Sequence, residues 1–121
     1  MKIERFSDLT VWQEGHKLAL NAYRLTDNFP SREQFGIVAQ IRPSAASVCA
    51  NIAEGFGRRT TRELLRSLQV ARGELEETRY FLILSRDLGH VKGTDFEAAI
   101  AQCESVAKLI NALGSSLKNR L

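Results

Sequence analysis

Apolar residues recur along this chain at alternating spacings of four and three, the period of one helix face, and no stretch sustains the strict alternation of a strand. Val11, Gly15, Leu18, Ala22, Leu25 and Phe29 form the first seam, and the pattern predicts a helix over 10–28. Thr10 with Gln13 offers a capping box at its start. Phe29-Pro30 ends it, because the residue before a proline is pushed out of the helical region. Ser31 with Gln34 offers a second capping box, and Val38, Ile41, Ala45, Val48 and Ile52 carry the pattern on, predicting a helix over 32–55. Pro43 lies inside it, where the ring removes one backbone hydrogen bond and crowds the preceding turn, so a kink is expected near that residue. A break into two helices is disfavoured, since Arg42 would be a poor N-cap.

Thr60 with Glu63 opens a third segment, whose seam is Leu64, Leu68, Ala71, Leu75, Thr78, Leu82 and Ser85, predicting a helix over 61–88 closed by a glycine cap at Gly89. Thr94 with Glu97 opens a fourth over 95–118, with Phe96, Ile100, Cys103, Ala107, Ile110, Gly114 and Leu117. Four amphipathic helices with short links pack as an antiparallel up-down four-helix bundle. The fold class is therefore all-α, and the 121 residues make one domain, 1–121.

The third and fourth segments are more apolar than one seam requires. Leu65, Phe81, Ile83, Leu84 and Leu88 lie beside the third seam, and Ala98, Ala99, Ala101, Val106 and Leu113 beside the fourth. A helix apolar on a second side buries that side too, so a homo-oligomer is expected.

Composition changes this picture little. Hydrophobic residues at 44% and charged residues at 26% are those of an ordinary globular protein. The opening MKIERFSDLT has no apolar core of a signal peptide, and the longest apolar run, Tyr80 to Leu84, is far too short to cross a bilayer; a cytoplasmic protein without membrane contact is expected. Cys49 and Cys103 stand alone and read as small core hydrophobes. Neither His16 nor His90 belongs to a Glu-x-x-His pair of the kind that builds di-iron bundles, so no metal or other cofactor is expected.

Charge is more informative once mapped along the chain. The net +3 is not spread evenly: residues 58–72 hold Arg58, Arg59, Arg62, Arg66 and Arg72 against Glu63 alone. Seven-residue spacing also sets Arg72, Arg79 and Arg86 on nearly one face, where Glu76 offers helix-spaced partners to the first two, so that stripe reads as a solvated flank. Arg58, Arg59, Arg62 and Arg66 lack such compensation and are candidates to face phosphate. Only Phe56 lies close to them, so base stacking on aromatic rings is not the expected mode.

Other chemistry finds less support. GFGRR, residues 55–59, follows a helix and lacks the P-loop lysine, so Gly55 and Gly57 are expected to supply left-handed conformations that stop the second helix. Arg86-x-x-x-His90 loosely resembles the catalytic motif of the HEPN ribonucleases, but Gly89 is expected to end the helix before the histidine. Glu74, Glu76 and Glu77 read as surface carboxylates, and no local signature supports a nucleophilic triad or a small-molecule substrate. A non-enzyme is expected.

Four stretches, FSDLTVWQEGHKLA, FP with an acidic residue following, QIRPSAASVCANIAEGFGRRT and ARGELEETRYFLILSRDLG, resemble the four-helix-bundle family of 23S rRNA intervening-sequence proteins. The resemblance covers about Phe6 to Leu117, and its most specific part is Asn-Ile-Ala-Glu-Gly at 51–55, preceded by Gln40-Ile41-Arg42 and followed by Arg58. It implies an antiparallel bundle assembled as a homopentamer in the cytosol, without catalytic activity, and related to the nucleic-acid-binding accessory protein of diversity-generating retroelements. Asn51 and Glu54 match the family's polar pair, and Gln40 with Arg42 its upstream polar turn. A structural network is expected from them, with Glu54 on Arg58 or Arg42 and Asn51 on backbone or Gln40. Pro43 departs from the family, which there carries a basic residue or a small helix former. Two functions follow: a scaffold meeting RNA or DNA phosphates through Arg58, Arg59, Arg62 and Arg66, or a module that docks another protein.

Overall fold

The structure, a computed structural model, describes residues 2–121. Four helices, α1 (Thr10–Thr26), α2 (Ile37–Gly57), α3 (Thr61–Asp87) and α4 (Gly93–Lys118), are accompanied by two short 3₁₀ turns at Phe6–Asp8 and Ser31–Glu33. Each helix packs on its sequence neighbours and α1 closes onto α4, whereas among the described residues the diagonal pairs have no close backbone approach and meet only through the shared core. Side-chain contacts fix the directions. Thr78 Oγ1 meets Ser44 Oγ at 2.9 Å, whereas the Gly55 backbone lies against Ser67 and Leu64, so α2 and α3 run antiparallel. Arg86 over Phe96 and Arg72 on Asn111 fix α3 against α4 in the same way.

The predicted seams are the core. All seven seam residues of α3, Leu64 through Ser85, are buried, and Ile41, Ala45, Val48 and Ile52 of α2 face them. Ser85 and Thr78 remain on that seam because their hydroxyls have partners: Thr78 also reaches the Glu74 carbonyl at 2.9 Å, and Ser85 the Phe81 carbonyl at 2.7 Å. Gly15 is buried in α1 because a Cβ there would sit 2.9 Å from the Cys49 Sγ. Burial pushes the thiols of both Cys49 and Cys103 up to about 12, so neither is a thiolate at neutral pH.

Several helix ends differ from expectation. Of the predicted N-terminal caps only that of Thr60 forms, its hydroxyl accepting from the Glu63 N–H at 3.1 Å. Thr10 is already helical, and the Gln13 amide reaches back to the Ser7 carbonyl at 2.9 Å instead. Asp8 anchors that start, accepting from the Glu4 and Arg5 N–H groups at 3.0 Å each, which hold its carboxyl below the usual range. Lys92, not Thr94, is the N-cap of α4. At the end of α3, Gly89 is left-handed as expected (φ 81°), with the His90 N–H on the Ser85 carbonyl and the Gly89 N–H on the Arg86 carbonyl.

The helix predicted from residue 32 begins at Ile37, because Ser31–Glu33 closes a separate 3₁₀ turn and Gly36 leaves the helical region. Beyond that point α2 is continuous through Pro43, whose ring lies on the exposed side. One carboxylate organises the connection. Glu33 Oε2 accepts from the His90 Nε2–H at 2.7 Å, and its other oxygen lies 3.5 Å from the Ile37 N–H at the start of α2. A carboxylate only accepts, which assigns the proton to Nε2. The His90 side chain is buried, its ring tilted against that of Phe29, so the α1–α2 connection is pinned to the α3–α4 turn.

The His90 hydrogen bond, opposed by burial and helped by the Ile37 N–H, holds the Glu33 carboxyl below its ordinary 4.5. Its contribution to stability is fully present above that value and is lost as pH falls through the lowered folded value. Urea unfolding of wild type and Glu33→Gln is therefore expected to differ near neutral pH and to converge in acid. A gap that persists below the folded value would refute the assignment.

Candidate nucleic-acid interface

The arginine cluster grows out of the turn between α2 and α3. Here the expected helix stops are corrected: neither Gly55 nor Gly57 is left-handed, and α2 runs through both. Gly55 is instead a contact residue, since a Cβ there would lie 2.4 Å from Ser67 Cβ and 3.3 Å from Leu64 Cα. The left-handed residue that ends α2 is Arg59 (φ 66°), the sole non-glycine with positive φ among the described residues. A side chain in that conformation costs about 1–2 kcal/mol. Arg59→Gly is therefore expected to raise unfolding free energy by about 1 kcal/mol while removing a charge from the cluster. Equilibrium urea denaturation measures it, and a destabilised variant would refute the strain.

Arg58, Arg59, Arg62 and Arg66 are all exposed. Arg58 has a loose partner in Glu54 at 3.9 Å, with both side chains more than half exposed, a geometry worth little in water. Among the described residues Arg59, Arg62 and Arg66 form no ion pair. Arg62 and Arg66 stand one turn apart on α3. The fold adds a cation that counting charges along the chain misses: Arg120, just beyond α4, shares with Arg59 a cleft of about 470 Å³, which Thr60, Thr61 and the carboxylate-bearing Glu4 also line. Antiparallel topology is the signal that finds it, because the end of α4 must return to the start of α3.

Of the contacts expected among Gln40, Arg42, Asn51 and Glu54, those of Asn51 with backbone and of Glu54 with Arg58 are present, whereas Gln40 and Arg42 take no part in them. Arg42 turns to the end of α1, donating to Thr26 Oγ1 and Asp27 Oδ1 at 2.8 Å each, with its guanidinium over the Tyr23 ring. Asn51 donates to the Ser47 carbonyl one turn back at 2.8 Å, Glu54 keeps its loose pairing with Arg58, and Gln40 is exposed. The helix spreads these four over several turns, so Asn51 and Glu54 find partners one turn away, Arg42 reaches the end of α1, and Gln40 meets solvent.

The Arg72, Arg79 and Arg86 stripe is likewise not a free flank. Arg72 Nη1 donates to Asn111 Oδ1, Arg86 lies over the Phe96 ring at 4.4 Å, and the Nε atoms of Arg72 and Arg79 are buried without a hydrogen-bond partner. Their stems cover α4. Arg86 and His90 consequently point to different partners, Phe96 and Glu33, and make no joint site. Glu76 stands 3.8 Å from Arg72, and Glu74 is half-buried, its carboxyl raised by burial and then by the Glu77 charge.

On the far side of α3, Val70, Tyr80 and Leu88 are about half exposed, and Phe81 and Leu84 lie between them at helical spacing. Ala99 and Val106, expected on a second face of α4, are absorbed by the bundle's own core. No three His, Cys, Asp or Glu side chains among the described residues come together to hold a metal ion. No helix among them is long and apolar enough to cross a membrane.

A family model described as 23S rRNA-intervening sequence protein matches residues 7–112, which takes in all of α1 to α3 and most of α4. The chain belongs to this family. The 23S rRNA-intervening sequence fold is also that of a solved structure, a protein of unknown function from the S23 ribosomal protein family of Bacteroides thetaiotaomicron. The two are 22% identical with a TM-score of 0.80 over 87% of this chain and 95% of the other. A comparison with curated proteins gives no match.

Proposed function

We propose that this family member is a non-catalytic, oligomeric helical scaffold of the cytoplasm that binds the phosphate backbone of RNA or DNA through Arg58, Arg59, Arg62 and Arg66. The observation that carries this reading is the exposure of all four guanidiniums around one turn, three of them without an ion pair among the described residues. Arg59 strengthens it, because a left-handed position that glycine would occupy at lower cost holds a cation instead. The family description, which names 23S rRNA, makes a structured RNA the first ligand to try. Backbone contacts of this kind predict strong salt dependence and weak sequence preference.

Oligomerisation would repeat the cluster around an axis, and the α3 stripe of Val70, Phe81, Leu84 and Leu88 is the surface that supports it. A ring of five, which the family resemblance implies, would multiply the local field accordingly. Light scattering behind size exclusion at micromolar protein tests this part, and a monomeric mass overturns it. Fluorescence anisotropy with a structured RNA and a duplex DNA across a salt series tests the binding, which is expected at low salt and lost as salt rises. Absence of binding at low salt would leave the protein-docking reading, which has its own support in Phe35, 91% exposed on the turn that Glu33 and His90 pin down.

A further inference from the structure

The groove between α3 and α4 has a composition that the arginine cluster does not explain. It encloses about 370 Å³, inside the range of small-ligand pockets. Half-buried Leu65 lines its apolar side, over Leu68 and Ile110 at the edge of the core, Arg72 and Lys118 supply cations, and no carboxylate lines it. The space beside Gly114 is open, since a Cβ there would meet nothing within 4 Å. The donors are also fixed. Arg72 holds Asn111 by its Oδ1, which leaves the Asn111 amide N–H groups free, and the nearest carboxylate to the Arg72 Nε, that of Glu76, stands off at 3.8 Å. Such a groove complements a ligand with an anionic group at one side and a flat or apolar body at the other.

The groove opens onto the basic surface. Leu65 stands between Arg62 and Arg66, and Gln69, which also lines the groove, lies two turns from Arg62 on nearly the same face. A chain of phosphates following the arginines passes the groove mouth.

We propose that the α3–α4 groove holds one unpaired nucleotide, its phosphate on Arg72 and Lys118 and its base against Leu65. The proposal rests on the backbone-binding reading above and adds a preference for unpaired over paired strands. A base inside a duplex cannot reach the groove, whereas its phosphates can still meet the arginines.

The test compares a single-stranded oligonucleotide with its own duplex by anisotropy at fixed salt, using the full chain and the variants Gly114→Leu and Arg72→Gln. A third arm titrates free nucleoside 5′-monophosphate while recording amide NMR shifts of Gly114, Ser115 and the Asn111 side chain. Wild type is expected to prefer the single strand by about tenfold, the yield of one buried apolar contact surface. Gly114→Leu fills the groove and is expected to remove that preference while leaving duplex affinity as it was. Arg72→Gln is expected to weaken single-strand and free-nucleotide binding together. No wild-type preference, or a preference that survives Gly114→Leu, overturns the proposal while the backbone reading stands. If neither strand binds, the backbone reading fails, and the free-nucleotide shifts alone decide whether the groove is a nucleotide site. A changed oligomer mass in Gly114→Leu assigns the groove to a subunit contact and also overturns it.

Discussion

Gly55→Ala is expected to lower the unfolding free energy by about 3 kcal/mol, although alanine is the better helix former by about 1 kcal/mol. The reason is geometric. An added Cβ would lie 2.4 Å from the Ser67 Cβ and 2.5 Å from its Oγ, and 3.3 Å from the Leu64 Cα. Cβ and Cα move only with the backbone, so no side-chain rotation relieves the first and last of these contacts, and α2 and α3 would have to separate. Those two helices share the most extensive contact in the bundle, including the Thr78–Ser44 hydroxyl pair, so a separation is felt along both.

Gly57→Ala provides the internal contrast. It lies in the same helix, with ordinary helical backbone, and a Cβ added there would meet nothing within 4 Å, so alanine is expected to stabilise by up to about 1 kcal/mol. Opposite signs two residues apart separate a packing glycine from one that neither packing nor backbone conformation requires. Urea denaturation followed by circular dichroism reads both, and a neutral Gly55→Ala would show that the close approach is not tight.

These two glycines show what the sequence can and cannot convey. Periodic burial is legible residue by residue, as in the seven α3 positions from Leu64 to Ser85, because a helix face is a property of spacing alone. Gly55 and Gly57 mislead as stop signals because a glycine needed for helix contact and one needed for left-handed backbone look identical in sequence. Arg59 takes the left-handed position instead, which no propensity argument would select. Pairings between distant residues are equally invisible: Glu33 with His90, Arg42 with Asp27, Arg120 beside Arg59. Each depends on which helix ends meet, and that follows from topology rather than from local pattern. Gln40, Arg42, Asn51 and Glu54 lie close in the motif, yet only Asn51, on the Ser47 carbonyl, and Glu54, near Arg58, keep the partners that the motif suggests. A helical rise carries residues that far apart in sequence to different turns, and Arg42 finds the carboxylate of Asp27 at the end of another helix.

The simultaneous replacement of Arg58, Arg59, Arg62 and Arg66 by alanine has the larger functional consequence. Each arginine that neutralises a duplex phosphate releases condensed counterion, so four contacts contribute about 3.6 to the slope of log affinity against log salt. Removing them is expected to flatten the slope by that amount per engaged protomer, and to forgo roughly a hundredfold of the affinity change between about 50 and 200 mM salt. An oligomer that engages several copies at once loses more. All four side chains are exposed and at most one is loosely paired, so the folded state survives the change, and Arg59→Ala leaves the left-handed backbone strain in place. Replacement of the same four by lysine keeps the charges and is expected to keep most of the slope, which distinguishes counterion release from specific guanidinium geometry. An unchanged slope in the alanine variant would mean that the arginines face water, and the exposed apolar residues Phe35, Val70 and Leu88 would then be the place to look for a partner.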